Sequence, residues 1–288
     1  MPRYAGAGVW LLAAGVVALQ GCPTERLITL RACVVEGAAA SAGLPADAVV
    51  RASAIWRPAG IAFIVPGGDP LPIDDPQPPK TPLDVPPYSA PGKLGDLRVD
   101  DDRGFGSDEA QQLVQSCQDA WRGHNYPTDP QPGFTVVFVR ELVSTQGGYL
   151  SKKGYSTDLT GTFLQHGAAL CAGPPWSVDP ADVAGRWTIV ETVDNQAPVP
   201  LEQVAVTLAH ELGHDLLLGH GDGLDNDGNG RWDQYCDNAE ATVIPPGAGA
   251  DQKPLMSATV VDGYHISSLQ AGRAQAAADA LMAAKLAN

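Results

Sequence analysis

Leu201-Glu202-Gln203-Val204-Ala205-Val206-Thr207-Leu208-Ala209-His210-Glu211-Leu212-Gly213-His214-Asp215-Leu216-Leu217-Leu218-Gly219-His220 decides how this chain is read. Pro198 and Pro200 lead in and Gly219 follows the last periodic residue, so one helix is predicted from Leu201 to Leu218. On a helix, His210 and His214 stand at i, i+4, and both imidazoles project from one face to grip a single metal ion from two corners. Glu211 follows the first of them. That offset sets its carboxylate beside the metal, where it can take a proton from a water acidified by the ion. Zinc brings the pKa of such a water to about 7. Two histidines leave a tetrahedral ion short of protein ligands, and His220 lies six residues past His214, where a glycine turn can swing it back. Three of the six histidines fall between 210 and 220. A helix whose histidines merely pack has no need of this order of residue types.

Immediately downstream, 222–237 is dense in short oxygen-bearing side chains and glycines. Asp225, Asp227 and Asn229 alternate as calcium ligands do, Gly230 permits a sharp turn, the Arg231 carbonyl can add an oxygen, and Asp233 can bind directly or through water. The stretch resembles the start of EF-hand-like loops, but Cys236 stands where those place a bidentate glutamate. Calcium is therefore expected without a true EF-hand. A polar turn with no ion is the alternative.

His210-Glu211-x-x-His214-x-x-x-x-x-His220 resembles the long zinc-binding motif of the metzincin metallopeptidases. The resemblance implies a methionine turn beneath the metal, and Leu255-Met256-Ser257 lies at a suitable distance for Met256 to be that floor. It implies an α+β fold: a metzincin-like zincin with a twisted, mostly parallel sheet, an edge strand over the cleft, a zinc-binding active-site helix, a Met-turn and a C-terminal helix. It also implies an activity, zinc-dependent hydrolysis of peptide bonds in extracellular proteins or peptides, with the substrate strand lying against the edge strand. One position departs from the family pattern: Leu217 stands where a glycine is usual three residues after the second histidine. The helix is thus expected to run somewhat longer before it turns. Should His220 not reach the metal, the chain would resemble the zincins whose third ligand is a downstream glutamate, and Glu240 is that candidate. Tyr264 and His265 follow the methionine turn closely, and either can contact substrate or transition state, or simply pack.

Outward toward the N-terminus, Leu27 to Val35 is rich in apolar and β-branched residues, Pro45 to Trp56 has helical spacing, and Ile61 to Val65 reads as a second strand. A βαβ unit with parallel strands is predicted. From 66 to 106 the composition turns to proline, aspartate and glycine, the mark of an extended surface insertion, either a plain loop or a lid. Ser107 to Arg122 resumes helical spacing, Phe134 to Val139 and Arg186 to Val193 read as strands, and an edge strand is expected near Ala168 to Cys171. An alanine-rich helix from Ser267 or Ser268 to about Lys285 closes the chain.

At the start, Arg3 precedes an apolar run from Val9 to Leu19 that ends in Leu19-Gln20-Gly21-Cys22. The run is too short to span a bilayer and resembles a lipoprotein signal, so 1–21 is expected to be removed and Cys22 to carry lipid, leaving 22–288 as one catalytic domain. The expected location is an outer membrane or cell surface, held by lipid alone, or secretion if Cys22 is ordinary. Cys33, Cys117, Cys171 and Cys236 remain. They suit two disulfides in an oxidising compartment, with three connectivities open. A formal charge of −15 argues against nucleic acid as a partner, and a monomer is expected. A rival of another class is a noncatalytic, metal-stabilised surface lipoprotein that binds a partner. Glu211 argues against it, because a structural zinc site takes four protein ligands and needs no base.

Overall fold

The computed structural model describes residues 25–38, 43–75, 97–99, 108–124, 133–144, 154–157, 175–194, 197–219, 253–256, 264–266 and 268–284. It begins with β1 (Arg26–Val35), α1 (Leu44–Trp56) and β2 (Ile61–Ile64). Pro45 sits in the first turn of α1, where its missing N–H has no intrahelical partner to lose. A short 3-10 turn, Arg57–Ala59, and Gly60 at φ 69° reverse the chain into β2. The two strands run parallel, Leu27 opposite Ala62 and Ile28 opposite Phe63, so the expected βαβ unit forms. Ser53 fastens it from within by accepting a hydrogen bond from the Phe63 amide at 2.9 Å.

The 66–106 stretch, expected to be an extended surface insertion, contributes two short strands. β3 (Leu71–Ile73) extends the sheet beside the far end of β1, Cys33 opposite Leu71, and β4 (Leu97–Val99) pairs with a later strand. Leu71 and Ile73 are buried while Pro72 between them is exposed, an alternation too short to stand out among prolines. Then follow α2 (Asp108–Gly123), β5 (Gly133–Val139), β6 (Leu142–Ser144), which takes β4 as its parallel partner, and β7 (Gly154–Ser156). A single helical turn, α3 (Pro180–Val183), is capped by the Asp179 carboxylate and leads to β8 (Trp187–Glu191). The small hairpin of β9 (Val193–Asp194) and β10 (Ala197–Pro198) precedes α4 (Leu201–Asp215). Last come β11 (Lys253–Pro254) and β12 (Tyr264–His265), a parallel pair, and α5 (Ser268–Ala284).

The main sheet has the order β2-β1-β5-β8-β7, with β3 also on β1. Every pairing in it is parallel except β7 against β8. The protein is thus α+β with a mostly parallel mixed sheet and several helices. The antiparallel edge is Gly154–Ser156; residues 168–171, where an edge strand was expected, lie outside the described residues. Every residue of β5 is buried, the sign of a central strand covered on both faces. On one face α2 is bonded covalently to β1 through Cys33–Cys117, both fully buried, and Trp121 donates to the Ala32 carbonyl at 3.1 Å. Along another part of the core, α1 packs on α4: Trp56, fully buried, donates from Nε1 to the Ala209 carbonyl at 2.9 Å. Arg26 forks onto Asp279, pinning α5 to the start of β1, and Gln275 donates to the Ala59 carbonyl, pinning it to the turn before β2.

Candidate metal centre

Helix α4 is buried almost all round, from Val204 through Gly213 and again at Asp215. Apolar residues explain most of that burial, but Thr207, His210, Glu211 and Asp215 go into the core with them. Buried polar groups need partners: His210 finds one at Leu255 and Asp215 one at Thr188, while Thr207 and Glu211 pack against Gly154.

His210 takes the segment after β11, with Nδ1 2.7 Å from the Leu255 carbonyl. His214 takes the end of its own helix, with Nδ1 2.7 Å from the Leu218 carbonyl. A carbonyl only accepts, so each Nδ1 carries a proton and Nε2 is the ring atom left to accept or to ligate. The two rings stand at 87° to one another, and their Nε2 atoms face each other at 3.1 Å. Two opposed lone pairs at that distance require a proton or a cation between them. A zinc ion bonded tetrahedrally at about 2.0–2.1 Å would set two nitrogens about 3.3 Å apart, so the pair fits this metal in both donor type and spacing.

The helix ends at Asp215, three residues sooner than the sequence pattern predicts, and Leu217 is the reason. It adopts the left-handed conformation, φ 63°. The Leu218 amide then bonds to the Gly213 carbonyl and the Leu217 amide to the His214 carbonyl, both at 2.9 Å, the paired bonds of a Schellman cap. The expected longer helix is therefore not formed: leucine makes the turn that glycine usually makes. Such a conformation costs a non-glycine residue about 1–2 kcal/mol. Complete burial of Leu216, Leu217 and Leu218 offsets that cost.

Met256 is fully buried and lies directly against α4. Its sulfur occupies the space a side chain at Gly213 would need, and the Trp56 ring is 3.3 Å from the same point. Gly213 is thus glycine because methionine and tryptophan close over it. Gly213→Ala is expected to lower stability by about 1–3 kcal/mol despite the better helix propensity of alanine. It should also displace Leu255, whose carbonyl holds His210. Urea denaturation checks the first effect; an unchanged or raised midpoint would show that Met256 yields freely.

Glu211 meets the edge strand. A Cβ at Gly154 of β7 would lie 2.8 Å from the Thr207 methyl and 3.1 Å from Glu211 Cγ, so β7 approaches the helix as closely as glycine allows. Asp215 meets β8, its Oδ2 accepting from the Thr188 hydroxyl at 2.8 Å. Burial pushes this carboxyl up to about 7, against the opposing pull of Arg186 and of the Thr188 bond.

His210 and His214 are thus brought face to face and Met256 packs against Gly213 of the same helix, while Glu211 lies against Gly154 of β7. His220, Glu240, the calcium candidates Asp225, Asp227, Asn229, Arg231 and Asp233, and Cys22, Cys171 and Cys236 lie outside the described residues. Tyr264 and His265 form β12, paired with Lys253 and Pro254 immediately before the Leu255-Met256 turn. Among the described residues no group of three or more His, Cys, Asp or Glu side chains gathers around one point. Gly154, Thr188, Asp215 and Trp56 carry no site role in the sequence pattern. Asp215 carried a signal: it stands at i+4 from Glu211, on the same face of the helix.

No family model matches the chain, and no curated protein matches it. Among solved structures it is similar to metalloproteinase-II from Bacteroides fragilis, at 10% sequence identity and a TM-score of 0.33, over 76% of this chain and 50% of that one. This chain therefore spans about half the length of that protein.

Proposed function

We propose that the chain is a zinc-dependent endopeptidase of the metzincin kind, acting on proteins or peptides. One observation carries the reading: the His210 and His214 Nε2 atoms face each other at 3.1 Å while both Nδ1 atoms are committed to backbone carbonyls. Those two histidines would hold the ion, with His220 as third ligand and Met256 as the floor. Bound there, zinc supplies Lewis acidity that polarises the scissile carbonyl and acidifies a water. Glu211 takes the proton of that water and delivers it to the leaving amine, and its burial against Gly154 keeps the carboxylate from swinging into solvent. Peptides as substrates follow from the resemblance of the motif, since the same chemistry serves other amides and esters.

The buried Cys33–Cys117 disulfide supports a chain that folds in an oxidising compartment, in keeping with the lipoprotein-like start. The alternating oxygen-bearing side chains of 222–237 support calcium as a second ion.

The test is digestion of a diverse peptide mixture. Cleavage is expected to stop on treatment with 1,10-phenanthroline and return with a stoichiometric amount of zinc. Cleavage indifferent to the chelator, or a metal-loaded chain that cuts nothing, would overturn the proposal.

A further inference from the structure

Thr207, Glu211 and Asp215 stand at four-residue intervals and form one stripe of α4, apart from the two histidines. The stripe faces the antiparallel edge of the sheet. Thr207 and Glu211 touch β7 at Gly154, and Asp215 is bonded to β8 at Thr188. Within the sheet, Thr188 is opposite Ser156, and Gly154 is opposite Val190. The contacts therefore close a ring: from Asp215 to Thr188, across to Ser156, along β7 to Gly154, and back onto the helix at Glu211. Arg186 reinforces it. Its guanidinium donates to the Asp182 carbonyl at 2.6 Å and to the Thr157 carbonyl, at the end of β7, at 3.3 Å, while its charge attracts that of Asp215. Asp215 itself is fully buried, and its Oδ1 has no hydrogen-bond partner among the described residues. Asparagine or leucine would fill that place at less cost, so filling space does not account for a carboxylate.

We propose that Asp215 is a positioning residue of the metal centre: through its bond to Thr188 it sets the rotation of the last turn of α4 against β7 and β8, and so aims Glu211 and His214. The inference rests on the zinc reading of His210 and His214. Asp215 touches neither substrate nor metal. It acts through the backbone that carries its neighbour His214 and through the strand that covers Glu211.

The experiment compares wild type, Thr188→Val, Thr188→Ser and Asp215→Asn. Zinc affinity is measured by competition with a chromophoric chelator, the ligand field by the visible absorption of the cobalt(II)-loaded protein, and folding by circular dichroism and melting. Thr188→Val keeps shape and removes only the hydroxyl. It is expected to weaken zinc binding about tenfold, the low end of what loss of an outer support around a metal site costs, and to alter the cobalt spectrum. Thr188→Ser should restore both, and Asp215→Asn should resemble the valine variant. If Asp215→Asn does not fold, the two Thr188 variants decide. Zinc affinity within twofold of wild type and an unaltered cobalt spectrum in Thr188→Val, whatever its melting temperature, would overturn the inference, as would failure of the serine to rescue. A wild-type chain that binds no zinc defeats the metal-centre reading itself, a failure distinct from any difference among the variants.

Discussion

Glu211→Gln is expected to lower peptide cleavage by about 10²–10⁴-fold while zinc content and melting temperature stay at their wild-type values. The carboxamide has nearly the volume of the carboxylate, so the close contact with Gly154 and the packing of α4 survive the change. Only the capacity to accept a proton is lost. Because Glu211 is adjacent to His210 in sequence but projects from a different face of α4, its replacement should not disturb the 3.1 Å approach of the two Nε2 atoms. Single-turnover cleavage of one defined peptide, with zinc measured in the same samples, checks both halves. Activity within a few-fold of wild type would remove Glu211 as the base; loss of zinc along with activity would make it a structural support of the histidines.

Removing the Cys33–Cys117 disulfide by paired alanine substitutions should cost about 4.5 kcal/mol, the loop-closure entropy of a crosslink of this span. The bond joins residues 84 apart, so the unfolded chain gains a large number of conformations when it is absent. Melting is expected to fall by roughly 10 °C or more. The bond ties α2 to β1, whereas α4 sits against α1, β7 and β8, so zinc affinity below the melting range should be unchanged. A drop of only a degree or two would show that α2 and β1 associate in the unfolded chain without the crosslink.

Much of this was legible in local pattern. The βαβ opening, β5, β8 and the closing helix all declared themselves through local spacing, apolar runs and composition, which need no knowledge of distant residues. The 66–106 stretch did not. Its two three-residue strands are shorter than a period can reveal, and each is a strand only because a partner, β1 or β6, lies beside it. The same holds for β7, whose glycine is selected by the helix beneath it rather than by strand propensity. The end of α4 departs from the sequence pattern for a related reason: leucine favours continuation, but burial of three successive leucines outweighs the strain of one left-handed residue.

By itself the sequence determined the pairing of His210 with His214 and the offset of Glu211, since both follow from 3.6 residues per turn. Tertiary structure alone decided which nitrogens face inward, because the carbonyls that claim the Nδ1 atoms belong to Leu218 beyond the cap and to Leu255, 45 residues away from His210. It also chose Cys117 as the partner of Cys33 and Thr188 as the partner of Asp215. Those choices depend on which elements the collapsed core brings together, and long-range proximity leaves no periodic trace in the chain.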